Sequence, residues 1–177
     1  TIVYSKHSVE ISQQRRTDLV YKIPYSDIKS KKYGFDILNP FIVYILYGRN
    51  NHGKDFIYVG KSKNGLATRP SSHEDKCKCW TTCYILTEQK ERTFLNDGTI
   101  QYLEDKLCKQ INTLGVYNNT TSTTTSGTAN ESDKNSCDLY LDEVEDMLNI
   151  LGLDLFTKED KTSLEPTIIT SSIDDSN

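Results

Sequence analysis

The longest apolar stretch in the chain is Phe41-Ile-Val-Tyr-Ile-Leu-Tyr47, bounded by Asn39-Pro40 and Gly48. A nearly continuous run of β-branched and aromatic residues between turn formers predicts a central strand. Arg49-Asn-Asn-His-Gly-Lys54 supplies turn chemistry, so Asp55-Phe-Ile-Tyr-Val-Gly60 is expected to return antiparallel as its hairpin partner. Upstream, Asp18-Leu-Val-Tyr-Lys-Ile23 reads as a short strand closed by Pro24, followed by a brief helical turn over Tyr25–Ser30 capped by Ser26. Downstream, a short helix is expected over residues 66–76, with Pro70 in its first turn. Trp80-Thr-Thr-Cys-Tyr-Ile-Leu-Thr87 is the third strand of this set.

Asn96 is a helix cap, and Ile100, Leu103, Leu107, Ile111 and Leu114 recur at helical spacing until Gly115 stops them. From Asn118 to Ser136 a single Ala is the only apolar residue, which predicts a disordered polar linker. Helical periodicity resumes over Asp138–Gly152 through Leu139, Leu141, Val144, Met147, Leu148 and Leu151. The expected division is an N-terminal strand and turn extension (1–40) and a core (41–117). A linker (118–136), an acidic amphipathic helix packing on the core (137–152) and a frayed tail (153–177) follow.

Composition sharpens this picture. With 36% hydrophobic residues and a mean hydropathy of -0.58, part of the 177-residue chain is not expected to pack. The formal charge of -4 hides an asymmetry: residues 1–117 carry 18 Lys+Arg against 12 Asp+Glu, whereas residues 118–177 carry 3 against 13. A front half at +6 suits a polyanionic partner despite the acidic total. Five cysteines, an odd number without disulfide-like spacing, favour a reducing compartment. No apolar run approaches the ~20 residues that cross a bilayer, so a soluble, cytoplasmic protein is expected.

Several polar residues sit where a core has no use for them. Glu104 lies four after Ile100 and four before Cys108, on the apolar side of its predicted helix. A carboxylate there costs several kcal/mol unless it is paired or metal-bound. An ion pair with a core-edge Lys or Arg is the ordinary use. Beside the hairpin and Arg69 it reads as a ligand of Mg²⁺, which needs only one or two protein carboxylates when a phosphate supplies further oxygens. Tyr44 and Tyr58 are ordinary core aromatics singly; on paired strands, with Gly60 and Lys61 following, they read as phenols able to assist an activated water. Arg69 and His73, four apart, would share a helix face, and an Arg fork matches phosphate oxygens. His73 with Cys77, Cys79 and Cys83 can be drawn as a zinc site, but the cysteine spacing is poor and Cys83 falls within a predicted strand.

The half-motifs Ile42-Val-Tyr44 and Tyr58-Val-Gly60, with Lys61-Ser-Lys-Asn after them, resemble the GIY-YIG nuclease superfamily. Leu38-Asn-Pro, Trp80, Tyr102-Leu-Glu-Asp-Lys-Leu107 and the polar linker before an acidic helix resemble a bacterial branch of it that often carries an extra C-terminal domain. Ile42 stands where the family's first half-motif has glycine. The resemblance implies an α+β fold with a small central three-stranded antiparallel sheet flanked by helices. It implies a DNA endonuclease using one Mg²⁺, or Mn²⁺ in its place. Tyr44 would be the general base or water-orienting phenol, assisted by Tyr58 and Lys61. Arg69 would stabilise the transition-state phosphate, His73 would bind it, Glu104 would hold the metal, and Asn118 or Asn119 would complete the site. A duplex break would need two copies or two successive events.

Two other functions fit parts of the chain. A catalytically silent nucleic-acid-binding module would use only the basic front half. A protein-interaction domain would use only the acidic helix and would leave the front residues unexplained.

Overall fold

The computed structural model describes residues 2–4, 8–12, 18–32, 39–67, 77–89, 92–119 and 129–156. Among these residues seven strands form one sheet: β1 (Ile2–Tyr4), β2 (Val9–Ser12), β3 (Asp18–Pro24), β4 (Ile42–Arg49), β5 (Asp55–Ser62), β6 (Trp80–Glu88) and β7 (Asn118–Asn119). Three α-helices accompany them among the described residues: α1 (Tyr25–Lys29), α2 (Asp97–Leu114) and α3 (Glu131–Ile150). The spatial order is β1-β2-β3-β6-β4-β5-β7.

This corrects the expected small three-stranded sheet. The expected trio β6-β4-β5 is the middle of a seven-stranded mixed sheet within an α+β fold. The extension joins it because β3 pairs with β6 along its whole length, from Asp18↔Glu88 to Pro24↔Thr82. That pairing buries Val20 and Ile23 completely. β2 and β1 then add antiparallel beyond β3. On the other edge, β7 pairs parallel with the start of β5.

Strand alternation sends side chains to two separate cores. Val43, Ile45, Val59, Tyr84 and Leu86 face α2 and α3, whose Ile100, Leu103, Leu107, Val144 and Leu148 complete that core. Ile42, Tyr44, Leu46, Cys83 and Ile85 face the other side, with Tyr25 and Ile28 of α1 and Leu66 of a 3₁₀ turn (Gly65–Ala67).

The helix signals were partly local. Asn96 caps α2, accepting from the Gly98 and Thr99 N–H groups at 2.9 and 3.1 Å. Thr99 Oγ1 accepts from the Asn96 N–H at 2.8 Å, closing a capping box. Gly115 ends the helix at φ 65, where a β-carbon would be strained. α1 departs from expectation: Pro24 precedes its first residue, without a side-chain cap, and Ser26 lies inside it. α3 begins at Glu131, so the stretch read as linker from 118 to 136 holds β7 at one end and the first turns of α3 at the other. Leu139 is exposed on α3, while Cys137, Tyr140 and Leu141 face inward.

Candidate functional site

The two tyrosines come together as the half-motifs suggest. Tyr44 lies directly across from Gly60 in the β4–β5 ladder, and Tyr58 lies across from Leu46. Their ring centroids are 6.2 Å apart with planes inclined by 34°. Gly60 has a packing role here. A β-carbon there would sit 2.4 Å from Tyr44 Oη and 2.5 Å from Cζ, so the bare backbone makes room for the Tyr44 ring. Tyr44 is completely buried and Tyr58 half-buried.

Lys61 and Glu104 form the second pair. Lys61 follows Gly60 and therefore points to the opposite face, towards α2. Its ammonium donates to Glu104 Oε2, and the two side chains are only 17% and 13% exposed. Gln101 Nε2 donates to Asp105 Oδ1 at 3.2 Å and lies 3.5 Å from the same Glu104 oxygen. Lys63, just past the end of β5, makes a second, exposed ion pair with Asp97 at the start of α2. The ordinary use of a core-edge carboxylate, an ion pair, is what Glu104 has here.

The rings and the helix carboxylate thus do not converge on one pocket. β5 carries Tyr58 on the α1 face and Lys61 on the α2 face, three residues apart, because the side-chain period of a strand is two. Asn118 is separated in another direction. It pairs with Phe56 at the start of β5 and donates from Nδ2 to the Asp55 carbonyl at 3.0 Å. Lys61 lies five residues further along that strand, about 16 Å at about 3.3 Å per residue. Asn119 donates to Asn112 Oδ1 at 3.1 Å, which ties β7 to α2. Arg69 and His73, and the short helix expected around them, lie outside the described residues.

No group of three or more His, Cys, Asp or Glu that could hold a metal occurs among the described residues. The zinc arrangement fails on the described cysteines: Cys83 is buried in β6, and Cys77 and Cys79 are joined by a disulfide. That bond also removes the support that the cysteine count lent to a reducing compartment. No helix among the described residues is long and apolar enough to cross a membrane.

Glu88 is the buried charge that the sequence reading missed. It ends β6 at 2% exposure, and its Oε1 accepts from Asn39 Nδ2 at 3.0 Å and from the Leu95 N–H at 2.9 Å. Burial raises its carboxyl above the ordinary range, against the opposing pull of those two hydrogen bonds. Asn39 Oδ1 in turn accepts from the Phe41 N–H at 2.9 Å, so this network pins the entry to β4. The available signal was a carboxylate closing an apolar strand, with Asn39 beside a proline. A cavity of about 680 Å³ lies on the outer side of α2, lined by Tyr102, Asp105, Lys106, Lys109 and Thr113, with Lys134 of α3.

No family model, no curated protein and no solved structure matches the chain.

Proposed function

We propose that this protein is a Mg²⁺-dependent endonuclease that hydrolyses DNA phosphodiester bonds. The observation that carries the reading is the seating of both half-motifs on paired strands, with Tyr44 opposite Gly60 and Lys61 of the same strand holding the carboxylate of Glu104. A further support is the basic front half, and the lysine-lined cavity beside Asp105 suits a phosphate backbone.

One protein carboxylate fits a hard cation whose remaining positions go to phosphate oxygens and water. Glu104 would hold it, and Mg²⁺, when bound, supplies charge neutralisation on the phosphate. The chain's own contributions follow from position. Lys61 orients Glu104 through their ion pair, and its ammonium is placed to turn towards an incoming phosphate oxygen. Tyr58 is half-buried where Tyr44 is sealed, and both rings lie on the sheet face opposite Glu104, so they shape the β4–β5 hairpin and do not handle water at the metal. Tyr44 positions Tyr58 through ring contact. The water-orienting role read for Tyr44 therefore passes to neither phenol.

A second reading, a nucleic-acid-binding module that does not cut, is favoured by two observations: Glu104 is already neutralised by Lys61, and the rings lie on the opposite face. One experiment separates the two. Supercoiled plasmid is incubated with the protein across a Mg²⁺ and Mn²⁺ series, beside Glu104→Gln and Tyr58→Phe. Nicking that Glu104→Gln abolishes, and that Tyr58→Phe leaves unchanged, supports the endonuclease. Salt-sensitive DNA binding with no nicking under any metal identifies the silent module.

A further inference from the structure

Cys77, Lys78 and Cys79 lie immediately before β6, and a disulfide joins the two cysteines, whose Cα atoms are 5.2 Å apart. A bond across two residues closes a very short loop, where the stabilisation from restricting the unfolded chain is smallest. Structural stapling therefore explains it poorly. The other three cysteines, Cys83, Cys108 and Cys137, are buried and stand outside the disulfide, and burial pushes Cys137 up to about 12. They are inert by position.

The pair, in contrast, is only half-buried and lines a cavity of about 550 Å³ with Arg49, His52, Lys78 and Trp80. The two sulfurs are not equivalent. The Cys79 backbone N–H donates to Cys77 Sγ at 3.1 Å, and no donor to Cys79 Sγ occurs among the described residues. A hydrogen bond to sulfur strengthens when the sulfur becomes anionic. The Lys78 ammonium adds positive charge from the intervening residue, while the Arg49 guanidinium is held by Asp55 at 2.5 and 2.9 Å.

We propose that Cys77-Lys78-Cys79 is a thiol–disulfide exchange site for low-molecular-weight thiols, with Cys79 the sulfur attacked and Cys77 the stabilised thiolate. A thiolate RS⁻ attacks Cys79 Sγ, the protein S–S bond breaks, and its electron pair leaves on Cys77 Sγ. A second RS⁻ attacks the RS sulfur of the mixed disulfide and releases Cys79 as a thiolate with RSSR. Two external thiols are thereby oxidised to one disulfide, and the protein disulfide is reduced to two thiols. The oxidised small disulfide drives the reverse. This site owes nothing to the nuclease reading.

Glutathione is the probe. Native protein is equilibrated with reduced or oxidised glutathione, alkylated with iodoacetamide, and mapped by peptide mass spectrometry. The expected result is labelling of Cys77 and Cys79 only after the reduced form, with Cys83, Cys108 and Cys137 unlabelled in both. In Cys79→Ser, alkylation of Cys77 should reach half its maximal rate about one pH unit below that of Cys79 in Cys77→Ser. The Cys77→Ser variant should accumulate a glutathione adduct on Cys79 when given the oxidised form. Labelling of the pair only after denaturation, labelling unaffected by the oxidised form, or equal pH midpoints would each overturn the proposal. The wild-type labelling decides the matter even where a serine variant fails to fold.

Discussion

Across β4 and β5, the Tyr44 ring fills the space that Gly60 leaves open, and the fit tolerates no added methyl. A β-carbon at Gly60 would overlap both Cζ and Oη of a fully buried ring. Gly60→Ala is therefore expected to lower stability by about 1–3 kcal/mol, read as a lower urea midpoint with an unchanged slope. Glu88 makes a pH-dependent prediction. Its folded-state carboxyl is raised above 4.5 by burial, so between that value and the higher folded one the native state holds a proton that the unfolded state has lost. Stability from this group is present at lower pH and declines as pH rises through that window. The stability of the wild type minus that of Glu88→Gln should accordingly fall with increasing pH just above 4.5. A flat difference across urea melts at several pH values would remove Glu88 as the source.

Among the elements, α2 has the clearest local code. Asn96 and Thr99 satisfy orphan N–H groups at one end and Gly115 turns the chain at the other, all within a few residues of the helix they bound. Asn96→Ala should cost about 1 kcal/mol, measured as a lower thermal or urea midpoint. α3 shows the opposite case. Its first turns, Glu131-Ser-Asp-Lys-Asn-Ser136, contain no apolar residue and gave no helical period. They are helical because Asn130 accepts from the Asp133 N–H at 2.8 Å and because Glu131 and Asp133 suit the positive end of a helix. At its other end Lys22 of β3 donates to the Leu151 carbonyl at 2.6 Å, a contact between residues 129 apart. No window of sequence contains both partners.

At the scale of the whole molecule, α3 roofs one face of the sheet beside α2. Cys137, Tyr140, Leu141, Val144, Met147 and Leu148 are all buried there. At about 1.5–3 kcal/mol for each large apolar side chain, their gross burial is on the order of 10 kcal/mol, comparable to the entire stability of a domain. A chain ending at residue 128 should therefore lose cooperative unfolding, monitored by circular dichroism, and bind hydrophobic dyes. A truncated chain that melts as sharply as the intact one would show that α2 and the sheet suffice. The net charges of +6 and -10 in the two parts of the chain also belong to this scale. On the proposed function, the affinity for DNA should fall steeply with salt.

Local pattern determined a good deal by itself. Strands β3 to β6, the body of α2 with both its ends, and the pairing of Tyr44's strand with that of Tyr58 all follow from periods of two and 3.6 and from punctuation by Asn, Gly and Pro. Those signals arise between neighbours, so neighbours suffice to read them. Tertiary structure alone decided that β3 docks on β6, with β2 and β1 beyond it, and that β7 docks on β5, which together widen three strands to seven. It alone gave Glu104 to Lys61 on the face away from the tyrosines, and buried Glu88 between Asn39 and Leu95. Each of these is a contact between residues up to seventy apart in the chain. Such contacts form only where the pleat, the strand order and the helix roof bring the side chains together, and hydrophobic spacing along the chain carries no record of that partner.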